Sequence, residues 1–218
     1  MHVLYFHQHF STPEGATGTR SYEMARRLIA RGHRVTMVCG SYGLAKTGLQ
    51  NEPVDGTRRG NVDGIDVVEI SLPYSNYDSF AKRSAVFLRF ALKSICIARR
   101  TEYDLLFATS TPLTAGLPGI AMKLLKRRKP FVFEVRDLWP ELPRAMGVIR
   151  NPVVLASMSL LEWLSYRCAD ACVALSPGIR DGIMRRSSPG KPVEMIPNGC
   201  DLDLFTPGQS HSTSSSEL

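Results

Sequence analysis

Residues 2–40 read HVLYFHQHFSTPEGATGTRSYEMARRLIARGHRVTMVCG, and the changes of pattern within them decide the fold. HVLYFH (2–7) is a short apolar run rich in β-formers, as a strand requires. SYEMARRLIARGH (21–33) then puts Met24, Leu28 and Ile29 on one face at helical spacing. Gly32 stands where helices commonly close on a left-handed residue, and RVTMVCG (34–40) is a second apolar strand. Strand, helix, strand makes a βαβ unit. Its strands are too apolar for a sheet with one wet face, so parallel strands covered on both sides are expected.

The alternation continues down the chain. Residues 41–64, SYGLAKTGLQNEPVDGTRRGNVDG, are glycine-rich and polar and read as a mobile loop, and IDVVEISLP (65–73) reads as a strand. A helix over about 79–100 is followed by strand YDLLFATS (103–110), helix LTAGLPGIAMKLLKRR (113–128) and strand PFVFEV (130–135). A helical stretch over 152–170, strand ACVALS (171–176), helix GIRDGIMRRS (178–187) and strand VEMIPNG (193–199) complete the pattern. Alternating elements with short links predict an α/β, Rossmann-like, doubly wound and mainly parallel sheet with helices on both faces. That domain is expected over residues 1–206, and the Ser-rich PGQSHSTSSSEL (207–218) is expected to be linker or disordered tail.

Composition narrows the function classes. With 44% hydrophobic and 22% charged residues, the 218-residue chain has the make-up of an ordinary globular protein. No apolar run reaches the roughly 18 residues that span a bilayer. The first ten residues lack the basic start and small-residue cleavage site of a signal peptide. Five cysteines, odd in number and without a CxxC pair, argue against a disulfide framework or structural zinc and fit a reducing cytoplasm. Twenty-seven basic against 20 acidic residues leave +7, which favours anionic partners. Nucleic acid is not expected among them, because the aromatics fall in apparent core runs rather than beside basic strips.

The segment after the first strand holds the first candidate site. Backbone N–H groups without a Cβ in the way can meet phosphate oxygens, and Gly15 and Gly18 offer this just before a helix N-terminus. Thr17 and Thr19 can cap that helix, and Arg20 can reach an anion. The spacing fits neither G-x-G-x-x-G nor G-x-x-x-x-G-K-[ST], so a flexible turn with a helix cap is an equally open reading. A dehydrogenase-type dinucleotide domain is disfavoured by the missing fingerprint and by VTMVCGS, which supplies no acidic residue for a ribose hydroxyl. His7 and His9 alternate onto one side of a strand as two zinc ligands would, but no carboxylate cluster completes a site, and no metal is expected.

Two further stretches carry a family resemblance. ADACVALSPGIRDGIMRRSSPGKPVEMIPNGCDLDLFTP (169–207) resembles the end of the N-terminal domain of family 4 retaining glycosyltransferases, where IPNGxDxxxF leads into a second domain. FVFEVRDLWPE (131–141) resembles the RDLWPE signature of bacterial members that build polysaccharide and O-antigen repeats, the fucosamine-transferase-like group. PEGATGTRSYEMARRLIARGHRVTMV (13–38) is similar to that family's first βαβ unit.

The resemblance implies one half of a GT-B fold, in which two Rossmann-type domains face each other across a cleft. It implies an acceptor-side domain, with the nucleotide-sugar donor held mainly by a partner lobe and therefore no transfer by this half alone. A non-catalytic α/β subunit working with a separate donor domain is the alternative. Gly15, Ala16, Thr17 and Gly18 would line the wall facing the donor diphosphate. Asp137 would position the acceptor hydroxyl, with Arg136 pairing with it or with phosphate, and Ser176 belongs to the family motif. Ser110 and Thr111 also end a strand, although a Ser after a strand is commonly only a helix N-cap. The nucleotide-sugar is a substrate, so no cofactor is implied. The implied acceptor is a polyprenyl-diphosphate-linked glycan. Basic residues of helix 79–100 and of KLLKRRK (123–129) would suit peripheral docking on the anionic inner face of the plasma membrane.

Overall fold

A computed structural model describes residues 1–43, 45–73, 78–126 and 129–199. The chain runs β1 (His2–Phe6), α1 (Arg20–Ala30), β2 (Arg34–Gly40), β3 (Thr57–Val62), β4 (Ile65–Ile70), α2 (Phe80–Arg100) and β5 (Leu105–Thr109). A 3-10 turn (Leu113–Gly116) then leads into α3 (Leu117–Leu124), β6 (Phe131–Val135), α4 (Glu141–Ala145), α5 (Pro152–Cys168), β7 (Ala171–Ala174), α6 (Pro177–Arg186) and β8 (Val193–Met195). The strands form one eight-stranded sheet in the order β3-β4-β2-β1-β5-β6-β7-β8. Every neighbouring pair is parallel except β3–β4. The chain leaves β1 towards β2 on one side and later returns to β5 on the other. The loops after β1 and β5 therefore diverge, opening the crevice where open α/β sheets bind ligands.

Period-two alternation along the central strands sorts side chains between two cores. Leu4, Phe6, Val38, Leu106, Phe131 and Phe133 face α2, α3, α5 and α6, whose Phe90, Met122, Tyr166 and Ile183 complete one cluster. Val3, Tyr5, Val35, Met37 and Phe107 face the other way, where α1 brings Tyr22, Ala25 and Leu28. Both layers are thus apolar on the strand side, which explains why the strands carry almost no surface polarity.

Three features depart from the sequence reading. The stretch read as a mobile loop contains β3, an exposed edge strand antiparallel to β4. Asp63 and Gly64 take the positive φ values, 51° and 86°, that a tight hairpin turn demands. TRRGNV shows no apolar alternation because an edge strand on the polar rim buries little. Thr19 occupies the cap position of α1 without a side-chain hydrogen bond. Finally, α3 ends at Leu124, before most of the basic run. Of that run, Lys123 pairs with Asp170 (2.6 Å) and Lys129 with Asp104 (3.8 Å), while residues 127 and 128 lie outside the described residues. So does the proposed tail, 207–218.

Close approach between α3 and β6 rests on bare backbone. A Cβ on Gly119 would overlap the ring of Phe131, which is 1% exposed and cannot swing away. Gly119→Ala gains about 1 kcal/mol of helix propensity, but overpacking costs about 1–3 kcal/mol. We expect a net loss of stability in urea unfolding; a variant as stable as the parent would show that the helix can shift outward.

Candidate functional site

Parallel strands deliver their following loops to one edge, and there residues after β1, β6, β7 and β8 meet. A cleft of about 460 Å³ is lined by His7, Thr17, Gly18, Arg136, Asp137 and Asn198, among others. The loop after β1 and the RD pair after β6 therefore share one open face, although more than a hundred residues separate them in sequence.

The β1 loop begins earlier than its apolar pattern suggests. The strand stops at Phe6, and His7–Phe10 form a turn closed by the Phe10 N–H donating to the His7 carbonyl (3.3 Å). His7 and His9 are therefore not alternating strand residues; their rings lie edge-on with centroids 6.5 Å apart. His9 also packs near Tyr42 and Phe87. Among the described residues no group of three His, Cys, Asp or Glu is placed to hold a metal. Burial pushes the His7 imidazole well below its ordinary range, and Arg136 and His9 add to the effect. His9 is lowered to about 4, again by burial first and then by Arg136 and Arg83. Both rings are thus neutral near pH 7, and the charges at the cleft wall are those of Arg136 and Asp137.

Of the glycine loop, Thr17 and Gly18 reach the cleft. Gly15 donates its N–H to the Thr12 carbonyl (3.1 Å) in a turn and Ala16 is exposed; neither lines the cleft. A Cβ on Gly18 would sit 3.9 Å from Arg136 Nη2, so the Arg136 guanidinium lies along this part of the loop. Among the described residues no ion pair joins Arg136 to Asp137, and Asp137 does not cap α4, whose cap position is Pro140. Asp137 is half-buried at the cleft wall.

The segment carrying Asp137 is held from behind. Buried Glu162 of α5 accepts from the Trp139 N–H (2.9 Å) and the Tyr166 hydroxyl (2.8 Å) and pairs with Arg186. The Ser110 hydroxyl accepts from the Arg136 N–H at 2.9 Å. Leu138 seats against Gly182, where a Cβ would collide. Ser110 is therefore a support for the loop. Ser176 is the N-cap of α6, accepting from the Ile179 N–H (3.3 Å), and does not line the cleft.

Arg20 is placed differently from the anion ligand its position suggested. Its Nε donates to Glu134 Oε1 (2.9 Å), Nη1 to the Pro197 carbonyl (2.8 Å) and Nη2 to the Ile196 carbonyl (2.7 Å). The guanidinium is spent on joining α1, β6 and the 196–198 segment, and that segment puts Asn198 at the cleft. Nothing in the sequence signals this. Its four partners, Asn198 Oδ1 (3.4 Å from Nη1) included, lie 114 to 178 residues away.

Removing Arg20 would strand a carboxylate that is 1% exposed. Loss of one partner of a buried pair costs about 3–5 kcal/mol. We expect Arg20→Ala to lose stability on that scale and to speed amide exchange at Ile196 and Asn198. Adding Glu134→Gln should recover part of the stability but not the exchange protection. Unchanged exchange in Arg20→Ala would show that the 196–198 segment is held by other contacts.

Comparison with known proteins agrees with the fold. The fold matches a sucrose-phosphate synthase from Thermosynechococcus elongatus at a TM-score of 0.60 and 16% identity, covering 94% of this chain and 50% of that one. A trehalose-6-phosphate structure from E. coli bound with UDP-2-fluoro glucose matches at 0.62 and 11% identity, with the same coverages. An α,α-trehalose-phosphate synthase (UDP-forming) from Burkholderia vietnamiensis matches at 0.58 and 12% identity, covering 93% and 49%. The chain thus spans about half the length of these solved structures. No curated protein matches it significantly. The model of Glycosyltransferase Family 4 matches residues 17–204, from the glycine loop through the exit segment. The chain belongs to Glycosyltransferase Family 4.

Proposed function

We propose that this chain is the acceptor-side half of a retaining glycosyltransferase that moves a sugar from a nucleotide-sugar to a glycan carried on a polyprenyl diphosphate. The observation that carries the reading is the meeting of Thr17 and Gly18 with Arg136 and Asp137 at the carboxyl edge of the sheet. In the proposed chemistry the acceptor oxygen bonds to the anomeric carbon on the face from which the diphosphate departs. The acceptor proton passes to a departing phosphate oxygen. Asp137 accepts a hydrogen bond from the acceptor hydroxyl and so aims its lone pair. Arg136, beside the bare backbone at Gly18, balances the charge that collects on the diphosphate. The donor is gripped mainly by a second lobe, and the chain alone is expected not to transfer sugar. The proposal gives this half no metal or cofactor.

We also place the chain at the cytoplasmic face of a membrane, as a peripheral protein in bacterial polysaccharide synthesis. No described helix is long and apolar enough to cross a bilayer. Helix α2 buries Val86, Phe90, Ala91, Ser94 and Ala98 on one side, yet leaves Leu88 and Leu92 about half exposed on the other. Arg89, Lys93 and Arg100 are exposed beside that apolar stripe. Apolar side chains flanked by cations suit an anionic lipid surface, each charge adding about 1 kcal/mol near it.

In a protein carrying both lobes, Asp137→Asn should lower kcat/KM by about 100-fold, the scale on which misplacing a reacting group slows a reaction. An unchanged kcat/KM would remove the role given to Asp137. For the surface, Leu88→Ser with Leu92→Ser should reduce sedimentation with vesicles of anionic lipid, and added salt should reduce it further. Equal sedimentation with neutral vesicles would count against docking by charge.

A further inference from the structure

His7 is almost wholly buried, 1% exposed, yet it belongs to the cleft wall. Its Nδ1 lies 2.6 Å from Ser21 Oγ, in the first turn of α1. Its Nε2 is buried and has no hydrogen-bond partner among the described residues. An unpaired polar atom in that position has lost its water without gaining a protein partner. The same condition recurs nearby: the hydroxyls of Thr17 and Thr111 are buried without partners among the described residues, and both residues line the same cleft. Three orphaned groups from three separate turns converge on one space. The α1 N-terminus, β1 turn and β5 turn each bring one side chain to it or support one there.

We propose that His7, oriented by Ser21, recognises a sugar hydroxyl, with Thr17 and Thr111 taking neighbouring hydroxyls of the same ring. The chemistry of the groups selects this ligand class. A neutral imidazole nitrogen and two hydroxyls match partners that both donate and accept, as the hydroxyls of a pyranose do. An apolar ligand would leave all three unpaired. A bare phosphate is met first by the guanidinium of Arg136, which lies along Gly18. The imidazole adds no positive charge to the cleft, because burial first and then Arg136 disfavour its protonation, so the charge that draws a phosphate is that of Arg136. The site therefore fits a sugar ring over His7 with an attached phosphate turned to Arg136. This rests on the acceptor-side reading above and adds the residue that recognises the ring.

Chain labelled with nitrogen-15 can be titrated with N-acetylglucosamine 1-phosphate and, separately, with inorganic phosphate. The sugar phosphate should shift His7 Nε2 together with the Gly18 and Asp137 amides. Inorganic phosphate should shift the Arg136 guanidinium signal and leave His7 Nε2 in place. His7→Phe, which keeps the volume, should weaken sugar-phosphate binding about tenfold or more and change phosphate binding less than about twofold. His7→Gln, which returns an amide near the Nε2 position, should recover part of the loss if it keeps the parent's thermal unfolding. Ser21→Ala should weaken sugar-phosphate binding while leaving His7 in place. Shifts at Gly18 and Asp137 with none at His7, or His7→Phe binding as the parent does, would overturn the proposal and leave the acceptor-side reading standing. No cleft response to either probe would overturn both.

Discussion

A carboxylate inside a parallel sheet has to be met by a cation, and the Arg20–Glu134 pair is where this molecule meets that demand. Glu134 sits on β6, 1% exposed, near the hydroxyl of the equally buried Tyr5. Burying the ion alone would be prohibitive. Arg20 reaches it from the first residue of α1, and its two remaining nitrogens take carbonyls of the segment that follows β8. One side chain thereby ties together the start of α1, the β6 strand and the chain's path past Asn198. The cleft walls are these same elements, so the shape of the candidate site depends on a pair that does not itself face the ligand.

Behind the cleft the pattern repeats with a different carboxylate. Glu162 is pushed above its ordinary range by burial, despite the opposing effects of the Tyr166 hydroxyl and Arg186. It accepts from the Trp139 N–H and fixes the turn that carries Asp137. Both RDLWPE and the glycine loop are thus irregular backbone held by buried polar groups on regular elements. Irregular segments can be precise when their supports are fully hydrogen-bonded. Among the described residues, buried side-chain atoms without hydrogen-bond partners occur both in residues that line the cleft, at His7 Nε2, Thr17 Oγ1 and Thr111 Oγ1, and in the segments behind it, at Gln8 Oε1 and Trp139 Nε1.

Much of the architecture was readable because burial imposes periodicity. β2 coincides with RVTMVCG, α2 with the helix expected near 79–100, and β1, β5, β6, β7 and β8 fall within the runs read as strands. β3 escaped because an exposed edge strand needs a hairpin turn and a partner, not an apolar face; its signal was the Asp63–Gly64 pair rather than the strand itself. The RD residues and Thr17–Gly18 were found through motif likeness and do share the cleft. Arg20 and Ser176 were assigned to ligand and instead serve the frame, since which atom a guanidinium or hydroxyl bonds is set by neighbours distant along the chain.

What the sequence determined by itself was the succession of elements, the parallel sheet they imply and the edge to which its loops are delivered. Hydrophobic period and turn chemistry are local properties, and they are written in consecutive residues. What only the tertiary structure decided was the allocation of polar groups: Arg20 to Glu134, Ser110 to the Arg136 N–H and Ser21 to His7, with the Nε2 of His7 left buried without a partner among the described residues. Those assignments join segments 14 to 114 residues apart. They are settled by which donors and acceptors the packed sheet leaves within about 3 Å of one another.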